Sequence, residues 1–145
     1  MKDETINGFS RNEIFSLYRF LCLYECSRMK FLNKAELFKQ YPKMEEIETI
    51  LAHINYKEKT KKELQVMDVD ALDNEFYFTE FGSKLHGVFY HLRNSIAHAN
   101  IIKNGDVVSI KDFENKKTDA ECTARGIIPF KTIEAILAKM QEVFN

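Results

Sequence analysis

The chain has 145 residues, 45% of them hydrophobic and 30% charged, with a formal net charge of −1 at pH 7. That length holds one domain with a real core, residues 1–145, and is short for two. The near-zero charge excludes a global basic field, so any nucleic-acid binding must rest on a local patch.

The polar start, residues 1–5, is expected to fray. Ser10-Arg-Asn-Glu13 is a capping box, and the stripe Ile14, Leu17, Tyr18, Leu21 and Tyr24, widened by Phe15, Phe20 and Leu23, predicts a first helix over 11–30, buried on much of its surface. The apolar run from Ile14 to Met29 is broken by Ser16, Arg19, Glu25 and Arg28, so it reads neither as a membrane span nor as a signal peptide. A cytoplasmic protein with no membrane partner is expected. Cys22 and Cys26 stand one turn apart on this helix, a spacing that fits core packing. Cys122 falls in a late loop, and no Cys-x-x-Cys pair or zinc spacing occurs.

Asn33 with Glu36 repeats the capping signature and opens a short helix that Pro42 ends. Met44, Ile47, Ile50, Leu51 and Ile54 predict a helix over 43–56, with Glu45, Glu46 and Glu48 on its outer face. Residues 57–62 form a solvated charged connection whose lysines could add phosphate contacts. Thr60 and Glu63 cap a further short helix through Met67, and residues 66–74 carry no clear period. Phe78, Phe81, Leu85, Val88, Phe89, Leu92, Ile96 and Ala99 recur at three- and four-residue steps, which predicts a central helix over 78–99.

After that helix the period changes. Asn104-Gly105 lies between two β-prone runs, a hairpin signal over 100–110. Residues 111–126 read as a polar loop. Pro129 suits a helix start, and Phe130, Ile133, Ile136, Leu137, Met140, Val143 and Phe144 mark the last helix. The fold predicted is all-α: an up-and-down bundle of four or five helices with one small β-hairpin before the C-terminal helix.

The stretch that stands out is Phe89-Tyr-His-Leu-Arg-Asn-Ser-Ile-Ala-His-Ala-Asn100. It places Arg93, Asn94 and His98 inside an apolar, helix-period segment. Lys84, Gly87, His91, Asn94 and His98 form a second stripe beside the apolar one. Asn94 and His98 are one turn apart and can touch. Arg93 and His98, five apart, diverge by about 140° on an ideal helix, so they converge only through the long arginine side chain or through a second copy of the motif. His53 and His86 read as ordinary, partly exposed histidines. Phe89 and Tyr90 read as core residues, and Ser95 as a small packing residue.

Leu92-Arg-Asn-Ser-Ile-Ala-His-Ala99, on the penultimate long helix with a hairpin after it, resembles the signature of the HEPN superfamily. That resemblance implies a metal-independent endoribonuclease whose two subunits face their motifs across one composite cleft, often as a toxin or defence effector. Other members are inert modules that bind RNA, a nucleotide or a protein. RNA is then the expected partner, together with a second copy of the chain and an antitoxin or other regulatory protein. No metal or cofactor is expected.

The residues suit that chemistry. A histidine that titrates near neutrality can remove or deliver a proton, which gives His98 the role of general acid or base. The guanidinium of Arg93 is a fixed cationic fork that can hold phosphate and the charge of the transition state. Asn94 positions its neighbours, and His91 and Lys84 are the candidates for substrate binding. The structural alternative for Arg93 is an ion pair with a glutamate on a neighbouring helix.

Overall fold

The computed structural model describes residues 5–114 and 121–144. The helices are α1 (Arg11–Ser27), α2 (Lys34–Gln40), α3 (Glu45–Leu51), α4 (Lys61–Gln65), α5 (Lys84–Ala97) and α6 (Phe130–Phe144). The strands are β1 (Asn55–Glu58), β2 (Glu75–Phe78), β3 (Ile101–Asn104), β4 (Val107–Phe113) and β5 (Cys122–Pro129). Capping boxes start three helices as the sequence predicts. Ser10, Asn33 and Thr60 each accept from the amide three residues on, and Glu13, Glu36 and Glu63 return the bond. Each satisfies helix-terminal amides that would otherwise lack partners.

The all-α bundle is not what forms. Five strands make one mixed sheet in the order β1-β2-β5-β4-β3, with β1 parallel to β2 and every other pair antiparallel. The expected helix over 43–56 stops at Leu51, and Asn55 opens β1. The expected helix over 78–99 is divided: Phe78 ends β2, and α5 starts only at Lys84 behind the cap of Ser83. The expected loop over 111–126 is replaced by the end of β4 and most of β5. Expectations for residues 1–4 and 115–120 lie outside the described residues. The hairpin forms as read, with Asn104 opposite Val107 and Gly105 at φ +62° in the turn.

One face of the sheet carries the main core. Phe76 and Phe78 of β2, Val108 and Ile110 of β4, and Ala124 and Ile128 of β5 pack with residues of α1, α3, α5 and α6. Phe89 of α5 stacks on Phe20 of α1 at 5.8 Å and on Tyr24 at 6.4 Å. The other face is covered locally by α4, where Leu64 packs with Leu72 and Tyr77. Helix α5 lies close against β2 at Gly87, where an added Cβ would sit 2.5 Å from the Phe78 ring. The same closeness recurs at Gly126, where a Cβ would meet the Glu75 carbonyl oxygen at 2.7 Å.

Helix α1 ends at Ser27, with Arg28 in the left-handed region at φ +59°. Its buried residues are Leu17, Phe20 and Tyr24, whereas Cys22 and Cys26 are exposed. The two thiols are therefore not part of the core. Cys122 is buried and belongs to a strand. Among the described residues no helix is long and apolar enough to cross a membrane.

Candidate active site

Helix α5 sets the site, and its C-terminal end is unusual. The amide of Ala99 donates to the Ile96 carbonyl (3.1 Å) and that of Asn100 to the Ser95 carbonyl (2.8 Å). This is the Schellman closure, in which the residue after the cap takes the left-handed conformation, normally as glycine. Here that residue is Ala99, at φ +57°. The side-chain amide of Asn7 donates to the Ala99 carbonyl (3.2 Å) and supports the turn from outside. A left-handed alanine costs about 1–2 kcal/mol. Glycine removes that strain but gains freedom in the unfolded chain, so Ala99→Gly is expected to add about 1 kcal/mol of stability. Thermal unfolding should show a raised midpoint; a lowered one would refute the strain.

His98 is the cap residue itself, with φ −103° and ψ 9°, and its side chain is exposed. Its amide donates to the Asn94 carbonyl at 3.0 Å. Arg93 lies on the last turns of α5, half-buried, its side chain 32% exposed. Its Nε donates to Glu25 Oε1 of α1 (2.7 Å), and its Nη1 donates to Asn94 Oδ1 (3.1 Å). Asn94 therefore holds both neighbours, Arg93 through its side chain and His98 through its carbonyl. The ion pair with a glutamate on a neighbouring helix, weighed from the sequence as the structural alternative for Arg93, is present.

Glu25 feels two opposed effects. Burial pushes its carboxyl up, but the hydrogen bonds and charges of Arg93 and Lys30 outweigh that and hold it below its ordinary value. A depressed value means that the pairing adds stability above the ordinary glutamate range. That stability is lost as pH falls through the depressed value. Behind the pair, burial pushes the Tyr24 hydroxyl up to about 12, with Glu25 adding to the effect.

The second stripe of α5 does not face solvent as a whole. His91 and Gly87 are buried against the sheet. His91 Nδ1 lies 2.9 Å from Asp112 Oδ2, and Nε2 lies 3.0 Å from the Thr79 carbonyl oxygen. Both ring nitrogens of His91, the substrate-binding candidate, are thus occupied inside the protein. Lys84 is exposed at the opposite end of α5, its ammonium 4.7 Å from the centre of the Tyr56 ring. Fourteen residues of helix and cap separate it from His98, a rise of about 20 Å, so the structure does not bring Lys84 to the motif. His86 is also buried, its ring nitrogens meeting Ser83 Oγ (2.7 Å) and the Leu32 carbonyl oxygen (2.8 Å). Ser95 is buried as expected, and its hydroxyl lies within hydrogen-bonding distance of the carbonyls of His91 and Lys111, to either of which it can donate its one proton.

Asp112 is the residue that reading the sequence missed. It is 2% exposed, on the core face of β4. Its Oδ2 accepts from Asn94 Nδ2 (3.2 Å) as well as meeting His91, and its Oδ1 accepts from the amide of Phe113 (2.9 Å). A continuous hydrogen-bonded line thus runs from Glu25 through Arg93, Asn94, Asp112 and His91 to Thr79. It fixes the orientation of the Asn94 amide, because its oxygen faces a guanidinium and its nitrogen a carboxyl group. Among the described residues no group of three or more His, Cys, Asp or Glu side chains is arranged to hold a metal ion.

Two lysines of the charged connection, Lys59 and Lys61, are engaged elsewhere. Lys59 pairs with Glu63 (3.8 Å), and Lys61 pairs with Glu114, which raises its ammonium above the ordinary value against a smaller opposing effect of burial.

A helix ending in Arg-Asn-x-x-x-His, with the arginine and asparagine joined and the histidine at the cap, makes this a HEPN-type module. The chain belongs to the HEPN pEK499 p136 family, whose model matches residues 6–145. No curated protein and no solved structure matches it.

Proposed function

We propose that the chain is a metal-independent endoribonuclease of a toxin or antiviral-defence type. The observation that carries this reading is the joining of Arg93 to Asn94 beside His98, which is exposed and whose amide bonds the same asparagine. In the reaction the 2′-oxygen of RNA attacks the adjacent phosphorus, and the bond from phosphorus to the 5′-oxygen breaks. One proton leaves the 2′-hydroxyl and one reaches the departing oxygen, leaving a 2′,3′-cyclic phosphate and a 5′-hydroxyl.

His98 is the general acid or base. Arg93 binds the phosphate and the charge that grows on it, and Asn94 sets the guanidinium. A homodimer supplies two histidines, one for each proton, which resolves the divergence between Arg93 and His98 on a single helix. RNA is the substrate, and an antitoxin or other regulatory protein would control such an enzyme.

The ion pair of Arg93 with Glu25 favours a second reading, a non-catalytic HEPN module that binds RNA, a nucleotide or a protein. A carboxylate on the guanidinium competes with a phosphate for the same donors. Incubation of purified protein with mixed RNA in excess EDTA separates the two readings. Cleavage to cyclic-phosphate ends is the expected result; RNA bound but left intact would establish the binding module.

A further inference from the structure

Two aromatic rings stand outside the core, beside the motif. Tyr90 of α5 and Phe81, in the turn before that helix, stack face to face with ring centres 3.8 Å apart and planes 6° from parallel. Neither belongs to an apolar cluster of the fold, so Tyr90 is not the core residue that the helix pattern suggests. Tyr90 is half-buried and Phe81 is 36% exposed. Among the described residues no second ring and no cation lies against Phe81. The turn that carries it is anchored. Ser83 caps α5 by accepting from the His86 amide (3.2 Å), and its hydroxyl lies 2.7 Å from His86 Nδ1.

The place of the stack on α5 says what it can meet. At about 100° per residue, Arg93 stands about 60° to one side of Tyr90 and Asn94 about 40° to the other, one turn further along the helix. Phe89, His91, Leu92 and Ser95 are buried, whereas Tyr90, Arg93 and Asn94 are half-buried and Ala97 is exposed. The stack and the motif therefore share the open side of α5. The rise from Tyr90 to Arg93 is about 4.5 Å, on the scale of the rise per nucleotide.

An aromatic face beside a guanidinium suits a base joined to a phosphate. Unpaired bases stack on aromatic side chains, whereas the bases of a duplex are already stacked and paired. With a formal net charge of −1, the chain has no broad basic field to hold RNA through its phosphates alone, so stacking has binding to supply. We infer that the Phe81–Tyr90 pair is a base-binding platform, on which an unpaired base of RNA packs against Phe81 as a third layer while its phosphate reaches Arg93. The inference rests on the ribonuclease reading of the motif and restricts the substrate to single-stranded RNA.

Binding is measured with cleavage blocked, using a short 2′-O-methyl oligoadenylate and the same backbone without bases. Phe81→Leu removes the aromatic face and keeps an apolar side chain; its unfolding midpoint is measured beside its affinity. It should bind oligoadenylate about 5- to 150-fold more weakly than wild type and the abasic strand equally well. The chain contains no tryptophan, so Phe81→Trp provides a single fluorophore at the platform. Oligoadenylate should quench it and the abasic strand should not. Equal affinity of wild type and Phe81→Leu for oligoadenylate overturns the platform. An equal loss on the abasic strand does so too, because the ring would then only support Arg93. An unquenched tryptophan overturns it even where Phe81→Leu fails to fold. Lost self-association in Phe81→Leu with RNA binding unchanged gives the ring to a second copy and also overturns it. The ribonuclease reading fails separately. Ring-dependent binding with unmodified RNA left intact keeps the platform and removes the enzyme, whereas cleavage with the same KM in wild type and Phe81→Leu keeps the enzyme and removes the platform.

Discussion

His98→Ala is expected to reduce RNA cleavage by about 10²–10⁴-fold, the usual yield of a positioned general acid or base. The backbone closure of α5 should be kept, and the unfolding midpoint is measured beside the activity. His98 is an exposed cap residue, and the hydrogen bonds that close α5 come from the backbone amides of His98, Ala99 and Asn100, which the substitution retains. A loss of activity with an unchanged unfolding midpoint is therefore chemical. Arg93→Ala should cost about 10²–10³-fold through lost stabilisation of the phosphorane, the scale seen when a single charge-stabilising donor is removed. Arg93→Lys keeps the charge but not the fork, and should recover only part. Glu25→Gln is the informative control, because it weakens the ion pair at Arg93 while leaving the guanidinium in place. Activity kept or raised in Glu25→Gln means that the pair restrains the site. Activity lost there to the same degree as in Arg93→Ala would mean that the pair itself is what the motif supplies. Cleavage by His98→Ala at the wild-type rate would end the proposed mechanism.

What could be read from the sequence divides by the range of the interaction that decides it. Caps and helix faces are local, and Ser10, Asn33 and Thr60 announce their helices within four residues. The Asn104-Gly105 hairpin is local too. The sheet is not. Strand β2 is only Glu-Phe-Tyr-Phe, with its last three residues all buried, so it shows no alternation and merges with the helix pattern that follows. Strand β5 contains Thr123, Arg125, Gly126 and Pro129 and reads as a loop. Its partners β2 and β4 supply the hydrogen bonds that make it a central strand.

Missing the sheet also hid what surrounds the site. The second stripe on α5 is read from the helix alone, without the strands that cover it: β2 and β4 bury Gly87 and His91. One signal was available. Val108 and Ile110 alternate inward along β4, and the next inward position is Asp112. A carboxyl group at the third step of an apolar alternation points to a buried polar partner. Cys22 and Cys26 show the reverse: their one-turn spacing on an apolar helix suggests core, but the core uses the other face.

Asp112→Ala is expected to produce the largest loss of stability, about 2–5 kcal/mol, because it strands two hydrogen-bonding partners at about 1–3 kcal/mol each. The carboxyl group accepts from three donors: the amide of Phe113, the side-chain amide of Asn94 and the His91 ring. Alanine leaves the last two turned toward a cavity with no acceptor, with His91 itself buried. Asp112→Asn preserves the volume and one oxygen, so it can satisfy one donor but not all of them, and its loss should be smaller. Equilibrium urea unfolding measures both, and a loss below about 1 kcal/mol for alanine would show that no buried donor was stranded. The effect also reaches the surface. Asn94 is oriented by Asp112 on one side and holds Arg93 on the other, so freeing its amide loosens the guanidinium at a distance. Asp112→Asn, assayed where it remains folded, should therefore bind RNA normally but cleave it more slowly, because phosphate affinity tolerates a mobile guanidinium and transition-state stabilisation does not.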